Sequence, residues 1–161
     1  MKIRKATKKD INDIYPLFIE LINSEEKNAG KVAKFLKDIR KKRKDFGKNS
    51  RKELLKDIVG RNSFLFLAED NGKVVGYISG KIIKDSFFNQ ITVGYFNHIF
   101  VLKNYRSKGI LRKLYFLLEK EFMKRKCEVS LLEVFSTNPA IKAFEKLDYK
   151  ISTHKMWKKL K

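Results

Sequence analysis

The decapeptide YRSKGILRKL, Tyr105 to Leu114, passes from a polar turn with one glycine into apolar residues at helical spacing, without a proper cap between them. Arg106, Lys108 and Arg112 thus stand where a helix opens. Positive charge there costs roughly 0.3–1 kcal/mol per residue unless an anion is present. The strand-like NHIFV before this stretch and the helical ILRKLYFLLEKEF after it complete a strand, a basic turn and a helix. That order is an anion-binding arrangement on physical grounds. The first amides of a helix are unpaired, the dipole adds about half a positive charge, and Gly109 lets a ligand approach the backbone. A phosphate fits this description. The competing reading is a helix whose basic residues face solvent.

Other chemistry-bearing residues are sparse. His98 and His154 lie far apart with no Cys/His/Asp cluster around them, so no metal site is expected and both read as strand residues. Cys127 is the only cysteine, which precludes an intrachain disulfide and gives no sign of an oxidising compartment, so a cytoplasmic location is expected. MKIRKATKKD has no apolar signal core, and no run reaches the ~18 apolar residues of a membrane span. A chain of 161 residues suffices for one domain. Its formal charge of +20 is concentrated between Lys31 and Lys56, where twelve Lys/Arg face three Asp/Glu, a net of +9. Lysine outnumbers arginine 30 to 8, which favours general solvation over bidentate phosphate recognition. That segment reads either as a solvated surface or as a face for an acidic partner.

The elements that must position the basic turn follow from periodicity. MKIRKA alternates as a first strand. Thr7, three residues before Asp10, caps an amphipathic helix through Ile11, Ile14, Tyr15, Phe18, Leu21 and Ile22. A second helix is expected over Lys31 to Lys44 and a third over Arg51 to Val59, with KDFGKNS as loop between them. SFLFLAED and VVGYISGKII form a hairpin about Asn71-Gly72. KDSFFNQ reads as a looser connection and TVGYFNHIFV as another strand. The helix of the basic turn carries Leu111, Leu114, Leu118 and Phe122 at spacings of three and four. EVSLLEVF is then a strand, NPAIKAFEKL a helix with Pro139 just inside it, and YKISTHKMWKKL a last strand. These make a mixed α/β sheet with helices on both faces.

The basic turn resembles the R-x-x-G-x-G/A pyrophosphate loop of the GNAT superfamily of acyl-coenzyme A-dependent N-acyltransferases, with Arg106, Gly109 and Ile110 in the expected places after a strand ending at Val101. IRKATKKDINDI is similar to the family's opening strand and helix, and NPAIKAFEKLDYK to its closing N-x-x-A-x-x-x-Y-x-x-x-G-F segment, so the resemblance spans the chain. It implies a mostly antiparallel central sheet with a splayed central strand pair. It also implies acetyl-CoA as co-substrate, with pantetheine against Ile99, Phe100 and Val101, pyrophosphate on the amides of Ser107, Lys108, Gly109, Ile110, Leu111 and Arg112, and Asn138 as a further cofactor contact. The sequence departs from the pattern at four places. Leu111 replaces a small residue, Asn138 to Ala140 is one residue short so that Thr137 could take its role, Phe144 replaces a tyrosine that protonates the leaving thiolate, and Asp148 replaces a glycine. Water can protonate a thiolate whose thiol has a pKa near ~8.5.

LLEVF resembles the L-E-V segment in which N-terminal amino-acid acetyltransferases of the family keep a general-base glutamate, here Glu133. An amine attacks only when neutral, so a base is needed. With Leu132 and Val134 facing the other way, Glu133 also reads as a solvent-facing strand residue. The resemblance implies direct acetyl transfer to the primary amine of a protein or small molecule. The alternatives are a non-catalytic acyl-CoA-binding or regulatory GNAT-like domain, and a basic nucleic-acid or ribosome-binding module, for which no readout motif is present. The acceptor is expected to be acidic overall and the chain to be a monomer or a homodimer, the latter through its last strand.

Overall fold

The computed structural model describes residues 1–84 and 91–160. KDSFFNQ, apart from Lys84, lies outside them. Five strands form one sheet in the order β1-β2-β3-β4-β5. β1 (Lys2–Lys5), β2 (Ser63–Asp70), β3 (Lys73–Lys84) and β4 (Thr92–Val101) pair antiparallel, and β5 (Val129–Leu132) joins β4 in parallel. The helices are α1 (Ile11–Val32), α2 (Lys34–Ile39), α3 (Phe46–Val59), α4 (Ile110–Lys124) and α5 (Ile141–Glu145). The chain divides into two compact units, residues 1–21 with 43–133, and residues 22–42 with 134–161. None of the described helices is long and apolar enough to cross a membrane.

The first unit holds the sheet. Phe64, Leu65, Phe66, Leu67 and Ala68 of β2 are all buried, so consecutive residues, which point to opposite faces, are both covered. Asn71 and Gly72 both take positive φ, 48° and 77°, the paired left-handed turn that matches the twist of a tight hairpin. On one face α4 lies close, because β3 offers a glycine there. A Cβ at Gly80 would stand 2.8 Å from Leu118, Phe122 and the Tyr95 carbonyl. Gly80→Val is therefore expected to cost about 1–3 kcal/mol through overpacking. Thermal unfolding should show this as a Tm lowered by roughly 3–10 °C.

The other face receives α1 and α3, where Phe18 stacks on Phe46 with centroids 6.4 Å apart. The Phe46 contact explains a correction to the sequence reading. The third helix starts at Phe46 rather than Arg51, so most of KDFGKNS is helical, with Asp45 at the cap position and the Ser50 hydroxyl donating to the Phe46 carbonyl at 2.7 Å. The Thr7–Asp10 signal is a capping box. The Thr7 amide and hydroxyl donate to Asp10 Oδ2 at 2.7 and 2.9 Å, and a single short turn precedes α1.

In the second unit α1 runs ten residues past Ile22, beyond its clear apolar period. Glu25 pairs with Arg40 and Glu26 with Lys42, both at 3.6 Å, while Asn28 and Ala29 are buried. The basic helix expected over Lys31 to Lys44 shrinks accordingly to Lys34–Ile39, and the like-charged run after it leaves the helix. Pro139 lies ahead of α5 rather than inside it. Residues 149–160 form no strand, so the expected last strand is absent among the described residues and His154 is exposed outside any element.

Candidate active site

The basic turn lies in the first unit, between β4 and α4. Gly109 has φ +73°, the left-handed region open to glycine, and no atom lies within 4 Å of where its Cβ would be. Its carbonyl accepts the first helical bond, from the Lys113 amide at 3.1 Å. The amides of Ser107 to Arg112 meet no backbone carbonyl among the described residues. Ile110 is buried and anchors the helix start in the core, while Ser107, Lys108, Gly109 and Arg112 are exposed and Leu111 is half-buried.

The cations have roles beyond charge. Arg106 Nε donates to the Val101 carbonyl at 2.9 Å with its guanidinium over Phe100, tying the turn to the end of β4. Lys108 lies over Tyr105 and Arg112 over Phe116. None of the three meets a carboxylate among the described residues. The result is a run of three cations and of amides that meet no backbone carbonyl among the described residues, features that suit an anion site.

β4 and β5 part beside this turn. Their ladder runs from Val93 with Val129 to Phe96 with Leu132 and stops there. Ile99, Phe100 and Val101 remain paired with Ile78, Tyr77 and Gly76 of β3, but their other edge has no strand beside it among the described residues. Glu133 is the first residue past the ladder on the β5 side and is exposed. Phe96 faces α4, packing on Tyr115 and Phe122, so its register partner Leu132 shares that face. Alternation puts Glu133 on the face of α1 and α3.

On that face the structure brings together a group that sequence reasoning missed. Asn97 is an extra residue in β4, because Ser79 pairs with His98 and Gly80 with Phe96. Asn97 Nδ2 donates to Asp57 Oδ1 of α3 at 3.1 Å, Asp57 Oδ2 lies 3.7 Å from His98 Nδ1, and Ser79 Oγ lies 3.2 Å from the same nitrogen. The edge of the His98 ring meets Phe18 of α1 at 5.3 Å. Asp57 and Ser79 are buried. No local signal joins residues 41 and 19 positions apart in the chain. Only the polar pair Asn97-His98 inside an apolar strand hinted at it.

Asn138 belongs to the second unit. Its Oδ1 accepts from the Ala140 amide at 3.0 Å, so its side chain forms a local turn, and the Thr137 hydroxyl donates to the Asn28 carbonyl at 2.8 Å. Phe144 is buried against Tyr149. Asp148 has φ +64°, which accounts for glycine being usual there; aspartate is among the residues that tolerate this conformation. The described residues contain no His/Cys/Asp/Glu cluster able to hold a metal.

The family model described as "Acetyltransferase (GNAT) family" matches residues 33–149. A mutant form of the BH1408 protein from Bacillus halodurans superposes with a TM-score of 0.84 at 19% identity, covering 99% of each chain. AAC(6')-Iy in complex with the bisubstrate analog CoA-S-monomethyl-acetylneamine gives 0.72 at 16% identity over 99% of this chain and 97% of that one. Glucosamine-6-phosphate N-acetyltransferase from Arabidopsis thaliana gives 0.64 at 20% identity over 99% and 98%. No curated protein matches the chain.

Proposed function

The chain belongs to the acetyltransferase (GNAT) family and is an acetyltransferase that uses acetyl-CoA as co-substrate, and from that premise we propose that it moves the acetyl group directly to the primary amine of an acidic acceptor. The observation that carries the cofactor half of this reading is the run from Arg106 to Arg112, where the amides of Ser107 to Arg112 meet no backbone carbonyl and the cations of Arg106, Lys108 and Arg112 no carboxylate among the described residues. In this reading the pyrophosphate takes those amides, with Arg106 holding the turn, and pantetheine takes the open edge of Ile99, Phe100 and Val101. The thioester then lies where β4 and β5 part. An amide of Phe100 or Val101 stabilises the developing oxyanion. Glu133 receives the proton that an ammonium acceptor must shed before it can attack.

The acidic acceptor is supported by the basic segment. Arg40, Lys42, Arg43 and Lys56 each reach a carboxylate. Lys34, Lys37 and Lys41 in the second unit, and Lys44, Lys48 and Lys52 in the first, meet none among the described residues. Such fields raise the encounter rate of oppositely charged substrates and weaken with salt.

Acetyl-CoA with a panel of amines tests the reading, by release of free coenzyme A and by the mass of the acceptor. The panel comprises an acidic peptide with a free N-terminus, glucosamine 6-phosphate, neamine and spermidine. Acetylation of an acidic member in preference to spermidine, with kcat/KM falling several-fold between low and physiological salt, is the expected result. Preference for spermidine would overturn the acceptor class. Glu133→Gln should lower kcat about 10²-fold at neutral pH with little change in the KM for acetyl-CoA.

A further inference from the structure

Resting on the acetyl-transfer reading above, we propose that His98 is a second catalytic residue, whose Nε2 takes the proton released as the amine attacks and delivers it to the departing thiolate. Asp57 and Ser79 are its positioning residues.

Two protons must leave the acceptor nitrogen. An ammonium acceptor loses one before attack, and the amine nitrogen must lose another once it has bonded to the thioester carbonyl. The leaving sulfur, in turn, gains one. Many members of the family supply that last proton from a tyrosine, and this chain has Phe144, which has no proton to give. A group that can accept a proton at neutral pH and then donate it joins the two needs. Imidazole suits this, since its ordinary pKa near ~6.5 lies about two units below that of a thiol at ~8.5, so transfer to thiolate is downhill.

The position is suitable. His98 is the second residue of β4 beyond the last pair with β5 and immediately precedes Ile99, at the start of the edge assigned to pantetheine. The unmatched Asn97 turns both residues toward α3, so the imidazole meets Asp57 from α3, Ser79 from β3 and the Phe18 ring from α1. Asp57 is the only charged group it meets among the described residues. The negative charge of Asp57, 3.7 Å from Nδ1, favours a proton on that nitrogen, with the Ser79 hydroxyl at 3.2 Å accepting from it and the lone pair left on Nε2. Nε2 has no partner among the described residues, and 24% of the side chain is exposed, which permits access. The three residues are not a nucleophilic triad. Ser79 is fully buried and shares Nδ1 with the carboxylate, so no acyl-serine forms.

The bonds balance. The nitrogen–carbon bond forms as a nitrogen–hydrogen bond breaks toward Nε2. The carbon–sulfur bond then breaks with its electron pair on sulfur, and the proton on Nε2 passes to that sulfur, restoring neutral His98.

Two measurements on the full chain test this. The first needs no acceptor: long-range proton–nitrogen NMR of the imidazole should show the neutral Nδ1–H tautomer in the wild type and a weakened preference for it in Asp57→Asn. The Nε2–H tautomer would overturn the proposal. The second uses acetyl-CoA with whichever amine of the panel is acetylated. His98→Gln should lose about 10²-fold or more in kcat, while its thermal stabilisation by acetyl-CoA stays at the wild-type value. Asp57→Asn should lower kcat as well, in step with its weakened preference for the Nδ1–H tautomer. A kcat within a few-fold of the wild type in His98→Gln contradicts the proposal. Absence of any stabilisation by acetyl-CoA in the wild type counts against the acetyl-transfer reading instead and leaves the tautomer result to judge His98.

Discussion

Asp10→Asn is expected to destabilise the fold by about 2–4 kcal/mol at neutral pH, lowering Tm by on the order of 10 °C. The cause is a single carboxylate that closes three elements. Arg4 of β1 donates to Asp10 Oδ1 at 2.7 Å and Oδ2 at 2.9 Å, and also to Glu69 of β2 at 3.0 Å, while the Thr7 amide and hydroxyl donate to Asp10 from the turn before α1. An amide in place of the carboxylate turns two N–H bonds toward a guanidinium that has only donors of its own. The figure lies below that of a fully buried pair because 29% of the Arg4 side chain meets solvent, against 9% of Asp10. The Arg4 hydrogen bonds, assisted by those of Thr7 and opposed by burial, hold the Asp10 carboxyl well below the usual carboxylate range. A depressed folded pKa gives stability that is complete above the unfolded value, near ~3.9, and drains away as pH falls below it. The Tm gap between wild type and variant should therefore be full at neutral pH and narrow progressively below about pH 4. A constant gap across that range would show that the loss is steric rather than ionic.

Gly109→Val is expected to weaken acetyl-CoA binding by about 100-fold or more while leaving a folded protein. Valine is poorly tolerated at φ +73°, so the turn must rotate, at a cost of roughly 1–3 kcal/mol and a Tm a few degrees lower. Rotation moves the amides that the pyrophosphate needs. A hydrogen bond to a charged group contributes about 1.5–3 kcal/mol, so losing two is enough for the predicted weakening. Because the space beside Gly109 is open, the effect does not come from a clash with the protein itself. Calorimetric titration with acetyl-CoA separates the two contributions. An affinity within a few-fold of the wild type would remove the turn from the cofactor site.

The sheet and the basic turn were readable because their signals are local. Alternating or continuous apolar runs, Asn71-Gly72, and a glycine between cations each declare themselves within a few residues, and β4 begins and ends where the sequence placed it. The C-terminal half of α1 was not readable, since ion pairs with residues beyond α2 support it rather than apolar spacing. The start of α3 depends on Phe46 finding Phe18, a contact between elements. The last strand was expected from alternation in KISTHKMWKKL, a pattern that needs a neighbouring strand to become structure. Asp57, Ser79 and His98 come from three elements and are joined only by the register shift at Asn97. The position of Asp148 shows the reverse case, in which a departure from a motif is explained by its backbone angle.

The central claim is that the turn from Arg106 to Arg112 binds acetyl-CoA. Thermal unfolding of the full chain with and without acetyl-CoA at about 100 times its dissociation constant tests it most directly. Ligand binding at that level adds about 2.7 kcal/mol, an increase in Tm of roughly 5–10 °C. A rise of that size is expected in the wild type, largely lost in Gly109→Val at the same concentration. An unchanged Tm in the wild type at millimolar acetyl-CoA would contradict it.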